Sequence, residues 1–267
     1  MQTWKRTSII VAAATLLATA ALAHDTWLLP RTFRAPARVR VEMELTSGMA
    51  FPKNETAIDP ERIERSGMRL GADTVPLTIG ARGKDSLRLA ATPLADGIAT
   101  LWVELRPRTL ELTPAQVEEY LAEIGAPPEV RKRYEAMPAP RRWRETYRKH
   151  AKTFVRVGET AGDPLWRFPV GLGFELVPQA DPTALRAGQQ LGVTLLRGGK
   201  PAAAMSISLV REGSAEAIAR TTDAAGNAEF PLAKAGRYLL RATDLRAADG
   251  KEVDWESDFT TLTVMVQ

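Results

Sequence analysis

Residues 38–45, RVRVEMEL, alternate strictly between apolar and charged positions. Val39, Val41, Met43 and Leu45 fall on one side, and Arg38, Arg40, Glu42 and Glu44 on the other. This is the two-residue period of a half-buried strand. Residues 85–91 and 97–105 repeat the pattern, and Gly80, Gly83, Pro93 and Gly97 supply turn signals between the runs. The first third of the chain therefore reads as antiparallel β structure.

The period changes at Thr113. In TPAQVEEYLAEIG, Thr113 is placed as a helix N-cap, Pro114 as the first helical residue and Gln116 as the partner of a capping box. Val117, Leu121 and Ile124 recur at helical spacing, and Gly125 marks the end. A second short helix is expected in PEVRKRYEAM, before a break at MPAP, 137–140. A third is expected from about Arg141 to Phe154, with Trp143, Tyr147, Ala151 and Phe154 on one face. Residues 113–155 thus read as a helical insertion packed on a β domain.

Short alternating runs return after Gly158. GDPLWRFPVG, 162–171, reads as a connection, and LGFELV, QLGVTLL, MSISLV, AEFPL, RYLLRAT and TTLTVMV follow at regular spacing. About seven short strands in roughly 95 residues fit a small sandwich of immunoglobulin or transthyretin type. The expected fold is mainly β: two β-sandwich domains, 24–165 and 172–267, the first carrying the helical insertion.

Composition narrows the chemistry. The 267 residues are 45% hydrophobic and 25% charged, which is globular. There is no cysteine, so disulfides and thiolate sites are excluded. Residues 1–23 have the form of a secretory signal: Lys5 and Arg6, an apolar run from Ile9 to Ala21, and an Ala21-Leu22-Ala23 cleavage motif. The apolar run is shorter than the ~20 residues of a bilayer span. The expected product is a periplasmic protein starting at His24 that does not span a membrane. Loss of Lys5 and Arg6 leaves 34 of the 36 basic residues against 32 acidic ones, a net charge of +2. No basic patch interleaved with aromatics suggests a nucleic-acid partner.

Several segments occur in a fixed order: AHDTWLLP at the cleavage site, YRKHAKTFVRVG at 147–158, GFELVPQADP at 173–182, GGKPAAAMSISLV at 198–210, TDAAGNAEF and the terminal DWESDFTTLTVMV. In this the chain resembles a bacterial periplasmic family of unknown function whose members carry names tying them to nickel and cobalt uptake. TDAAGNAEF also resembles the turn of carboxypeptidase-regulatory-like modules, which are non-catalytic β-sandwiches. The resemblance implies an exported partner in transition-metal handling beside an envelope transporter.

His24 and His150 are the two histidines of the chain. A terminal His24 would offer an α-amine with a pKa near ~7.7 and an imidazole near ~6.5, two nitrogens suited to nickel(II) or copper(II). Asp25 is the adjacent oxygen donor, and His150 the candidate that would complete a histidine brace. Arg148, Lys149 and Lys152 would disfavour a cation if they turned toward it. Met43, Met49 and Met68 are soft donors, but Met43 falls on the apolar side of its strand and reads as core. The acidic stretch 244–258 lacks the spacing of a calcium loop. G-x-S-x-G, Walker A and H-E-x-x-H patterns are absent.

The expectation is a non-enzymatic binding or delivery protein for nickel, cobalt or copper, with metal ligands His24, Asp25 and His150. The alternative is a β-sandwich scaffold or adhesion protein that binds another protein or a glycan. A copper oxygenase built on a brace is a third reading.

Overall fold

A computed structural model describes residues 24–159, 164–214, 216–250 and 252–267. The expected signal segment, 1–23, lies outside the described residues.

Three sheets are layered. The central one has ten strands. Its main path runs Ala217–Thr221, Ser206–Arg211, Gly236–Ala247, Trp255–Val266, Trp143–Val157, Gly97–Leu105, Ile63–Leu70 and Asp73–Val75. A five-stranded sheet orders Asp25–Pro30, Val41–Gly48, Leu87–Ala91 and Thr78–Arg82, with Thr56–Ala57 beside Val41–Gly48. A four-stranded sheet is built on Phe174–Pro178, Gln190–Arg197, Lys200–Pro201 and Asn227–Pro231.

Strand alternation explains the layering. Along Trp143–Val157, Ala151, Val155 and Val157 join Leu28, Met43, Leu45 and Leu89 of the five-stranded sheet in one apolar core. Phe154 points the other way and packs with Phe174, Leu191, Phe230 and Leu262 against the four-stranded sheet. Successive side chains of a strand face opposite sides, so each face of the central sheet carries its own core. Gly97–Leu105 is buried along its whole length, as an interior strand covered on both faces should be.

The chain is mainly β and sandwich-like, as the alternation requires. The strands expected in the first third and after Leu172 are present. However, the two sandwiches are not separate at the sheet level. Trp143–Val157 pairs in parallel with Trp255–Val266, from Glu145 opposite Trp255 to Thr153 opposite Thr263. One sheet therefore crosses the boundary expected between 165 and 172.

The helical insertion is shorter than expected. Pro114–Glu123 forms with its capping box: Gln116 N–H donates to Thr113 Oγ1 at 3.4 Å, and Gln116 Oε1 accepts from Thr113 N–H at 2.9 Å. Pro128–Glu135 follows. The third expected helix is instead the strand Trp143–Val157. Trp143, Tyr147 and Ala151 are four apart, a spacing that keeps them on one face of a helix and equally of a strand. Phe154 separates the two cases, since it falls on the opposite face. The run is rich in aromatic and β-branched residues, which suit a pleated surface, and it ends in the central sheet.

The two helices cover the end of the sheet face that the five-stranded sheet leaves bare. Val117, Tyr120, Leu121, Val130 and Tyr134 pack on Trp143, Trp255 and Phe259, and the rings of Trp143 and Trp255 stack 4.5 Å apart. Buried Glu145 ties the layers together. It accepts from Tyr120 Oη at 2.9 Å, Trp143 Nε1 at 2.7 Å and the Ser257 hydroxyl.

Candidate functional site

Where the helices end and the five-stranded sheet begins, a cleft of about 250 Å³ opens beside His24. His24, just before strand Asp25–Pro30, and Thr26 within it both line the cleft. Arg62 comes from the short 3-10 turn Pro60–Arg62, Arg82 from the end of Thr78–Arg82 and Arg108 from the start of Arg108–Leu112. Tyr147 and Lys149 arrive from Trp143–Val157, two apart and hence on one face. Among the described residues, Asp59 is the one carboxylate in this lining.

Lys149 is only 7% exposed. Its ammonium donates to the His24 carbonyl at 2.5 Å and lies 5.5 Å from the ring centres of both Tyr147 and Phe259. Burial, with Arg62 adding to it against the pull of Asp25, brings its pKa down to about 8. Arg62 stacks over Tyr147 at 5.7 Å and spends one nitrogen on the Arg106 carbonyl at 2.8 Å. Its Nε is buried and has no hydrogen-bond partner among the described residues.

His24 is half-buried. Burial and then the Lys149 charge lower its imidazole pKa, while Glu55 and Asp25 pull the other way. The neutral ring that results is the metal-binding form of histidine.

The other two expected ligands do not join it. Asp25 is held by Arg241, Oδ2 to Nη1 at 2.6 Å. Burial raises its pKa against the opposing pull of Arg241. His150 is 1% exposed. It follows Lys149 on the strand, so it points to the opposite face of the central sheet. There Nδ1 lies 3.0 Å from the Phe259 carbonyl and Nε2 lies 3.5 Å from Glu104 Oε1. With His24 on one face and His150 on the other, the two imidazoles cannot form a brace around one ion. Among the described residues, no three His, Asp or Glu side chains are grouped to hold a metal. Met43 and Met68 are core residues, whereas Met49 is 56% exposed. Four acids of 244–258 are matched by arginines: Asp244 by Arg197 and Arg246, Asp254 by Arg144, and Glu256 and Asp258 by Arg246.

The donor set of His24, Asp25 and His150 therefore does not fit a resident three-ligand metal centre. What the site does offer is one half-buried imidazole beside four cations. The sequence singled out His24 but not Arg62, Arg82 or Arg108, which lie far apart along the chain and carry no motif. Lys149 was visible only as a charge near His150, and its direction depends on strand rather than helix geometry.

No curated protein matches the chain. Among solved structures, the D00-D0 domain of intimin is similar over 91% of this chain and 99% of its own, with 11% identity and a TM-score of 0.20. The Yersinia pseudotuberculosis adhesin InvE is similar over 91% of this chain and 59% of its own, with 13% identity and a TM-score of 0.22. The I-band fragment I67-I69 of titin aligns with 91% of this chain and 65% of its own, at 8% identity and a TM-score of 0.21. A family model described as "Domain of unknown function (DUF4198)" matches residues 21–244. The chain belongs to that family.

Proposed function

We propose that this member of the DUF4198 family is an exported, non-catalytic binding module. It takes up a divalent transition metal, nickel, cobalt or copper, through His24 and passes it to an envelope transporter. The observation that carries the reading is that His24, half-buried, lines a cleft, while His150 is sealed in the core. Cleavage after Ala23 would add the α-amine of residue 24 to its imidazole, and two nitrogens on one residue chelate nickel(II) or copper(II) well. Asp25 stays with Arg241, so the remaining coordination positions are filled from outside the protein.

The test is metal uptake by the chain exported through its own leader, followed by native mass spectrometry with nickel and with copper. One ion per chain is expected, lost in His24→Ala and retained in His150→Asn. Uptake that survives His24→Ala overturns the reading. It would favour the scaffold alternative, which draws support from the edge strand Thr78–Arg82, exposed along all five residues and open to pairing with a partner strand.

A further inference from the structure

We propose that the cleft receives its metal as an anionic chelate, the ion already wrapped by a small polycarboxylic acid, and not as the bare cation. This rests on His24 being the metal ligand. The argument begins with a conflict of charge. The cleft behind His24 is lined by Arg62, Arg82, Arg108 and Lys149 against, among the described residues, the single carboxylate of Asp59. A bare divalent cation entering that field is repelled by every cation within a Debye length. Glu55 lies close enough to His24 to favour its charged form, but its carboxylate is engaged by the Met49 N–H at 3.0 Å.

An anionic chelate removes the conflict. Its metal presents open positions to the nitrogens of residue 24, and its outer carboxylate oxygens meet the guanidiniums, whose planar forks match carboxylates two bonds at a time. Donors are in place for this. Lys149 spends one N–H on the His24 carbonyl, and an ammonium has three. Arg82 and Arg108 are exposed and line the cleft, so their guanidiniums are open to a ligand there. The size agrees as well: about 250 Å³ is below the range of drug-sized pockets and suits a small organic acid. Oxygen donors from such an acid complete a nickel or cobalt sphere that the protein leaves short.

The test compares three ligands on the exported chain by equilibrium dialysis with metal analysis and by calorimetry: nickel chloride, citrate, and nickel citrate. Nickel citrate is expected to bind about tenfold or more tighter than either component, roughly the gain of one charge-assisted bidentate contact. His24→Ala and Arg108→Gln should each lower its affinity by about tenfold, and added salt should weaken it. Arg108 is exposed, and circular dichroism melts verify that both variants fold. Nickel chloride binding as tightly as the chelate, and lost in His24→Ala, overturns the chelate proposal and leaves the metal reading standing. Citrate binding as tightly as the chelate, and indifferent to His24→Ala, overturns both and leaves an anion site. Absence of binding by all three ligands overturns both.

Discussion

Asp25 and Arg241, 216 positions apart, meet at 2.6 Å across two sheets. The contact joins the first strand of the five-stranded sheet to Gly236–Ala247 of the central one. Asp25 is therefore a structural partner of Arg241, although it stands next to His24. Asp25→Asn leaves the guanidinium without its charge. The pair is partly reached by solvent, so the loss is placed at about 2 kcal/mol, below the range for fully buried pairs. Urea unfolding should read this, while metal uptake through His24 persists. Unchanged stability with lost uptake would return Asp25 to the ligand set.

The second prediction concerns acid stability. Glu104 is buried, which opposes its ionisation, but His150, Arg65 and Arg148 outweigh that and hold its carboxyl down at about 2, against an ordinary 4.5. Arg65 Nε donates to it at 2.6 Å and Arg148 Nη1 at 3.0 Å. A carboxyl whose folded pKa is lowered stabilises the fold fully above its unfolded pKa, and the contribution drains away as pH falls toward the folded value. The window here is about pH 4.5 to 2, and the size is on the order of 3 kcal/mol. Urea midpoints of the native chain should fall through that window. Those of Glu104→Gln should start lower at pH 6 and approach the native values near the acid end. Parallel curves would show that Glu104 does not govern the acid limb.

A third prediction separates two partners in one buried ion pair. Lys152 Nζ donates to Glu175 Oε1 at 2.7 Å. Glu175 also accepts the backbone N–H of Val170 at 2.8 Å and those of Gly171 and Leu172 at 3.0 Å each. Lys152→Met leaves a carboxylate still held by three amides and should cost about 1–2 kcal/mol. Glu175→Ala strands the buried ammonium and three amides together and should cost about 3–5 kcal/mol. Hydrogen exchange at 170–172 should speed up in Glu175→Ala and far less in Lys152→Met. Equal effects would show that the loop does not depend on the carboxylate.

The alternation from Val41 to Leu45 and in the runs after Leu172, and the Thr113–Gln116 capping box, were legible because each is set by neighbours a few residues away; Val39, expected on the same apolar side, lies before the strand and is exposed. The strand at 143–157 was not. Its four-residue apolar spacing satisfies both periods, and only hydrogen bonding to Trp255–Val266 and Gly97–Leu105 selects the extended form. That choice turns Lys149 toward His24 and His150 away from it.

Local pattern and residue type thus determined the β class and the two short helices, and singled out His24 as a histidine to examine. Tertiary structure alone decided that the two sandwiches share a sheet, that Asp25 and His150 are spent on packing and charge partners, and that Arg62, Arg82, Arg108 and Lys149 gather around one cleft. The reason is physical. Periodicity and capping act over one or two turns of chain, whereas the charge in a cleft sums contributions from strands that meet only when the sheets close.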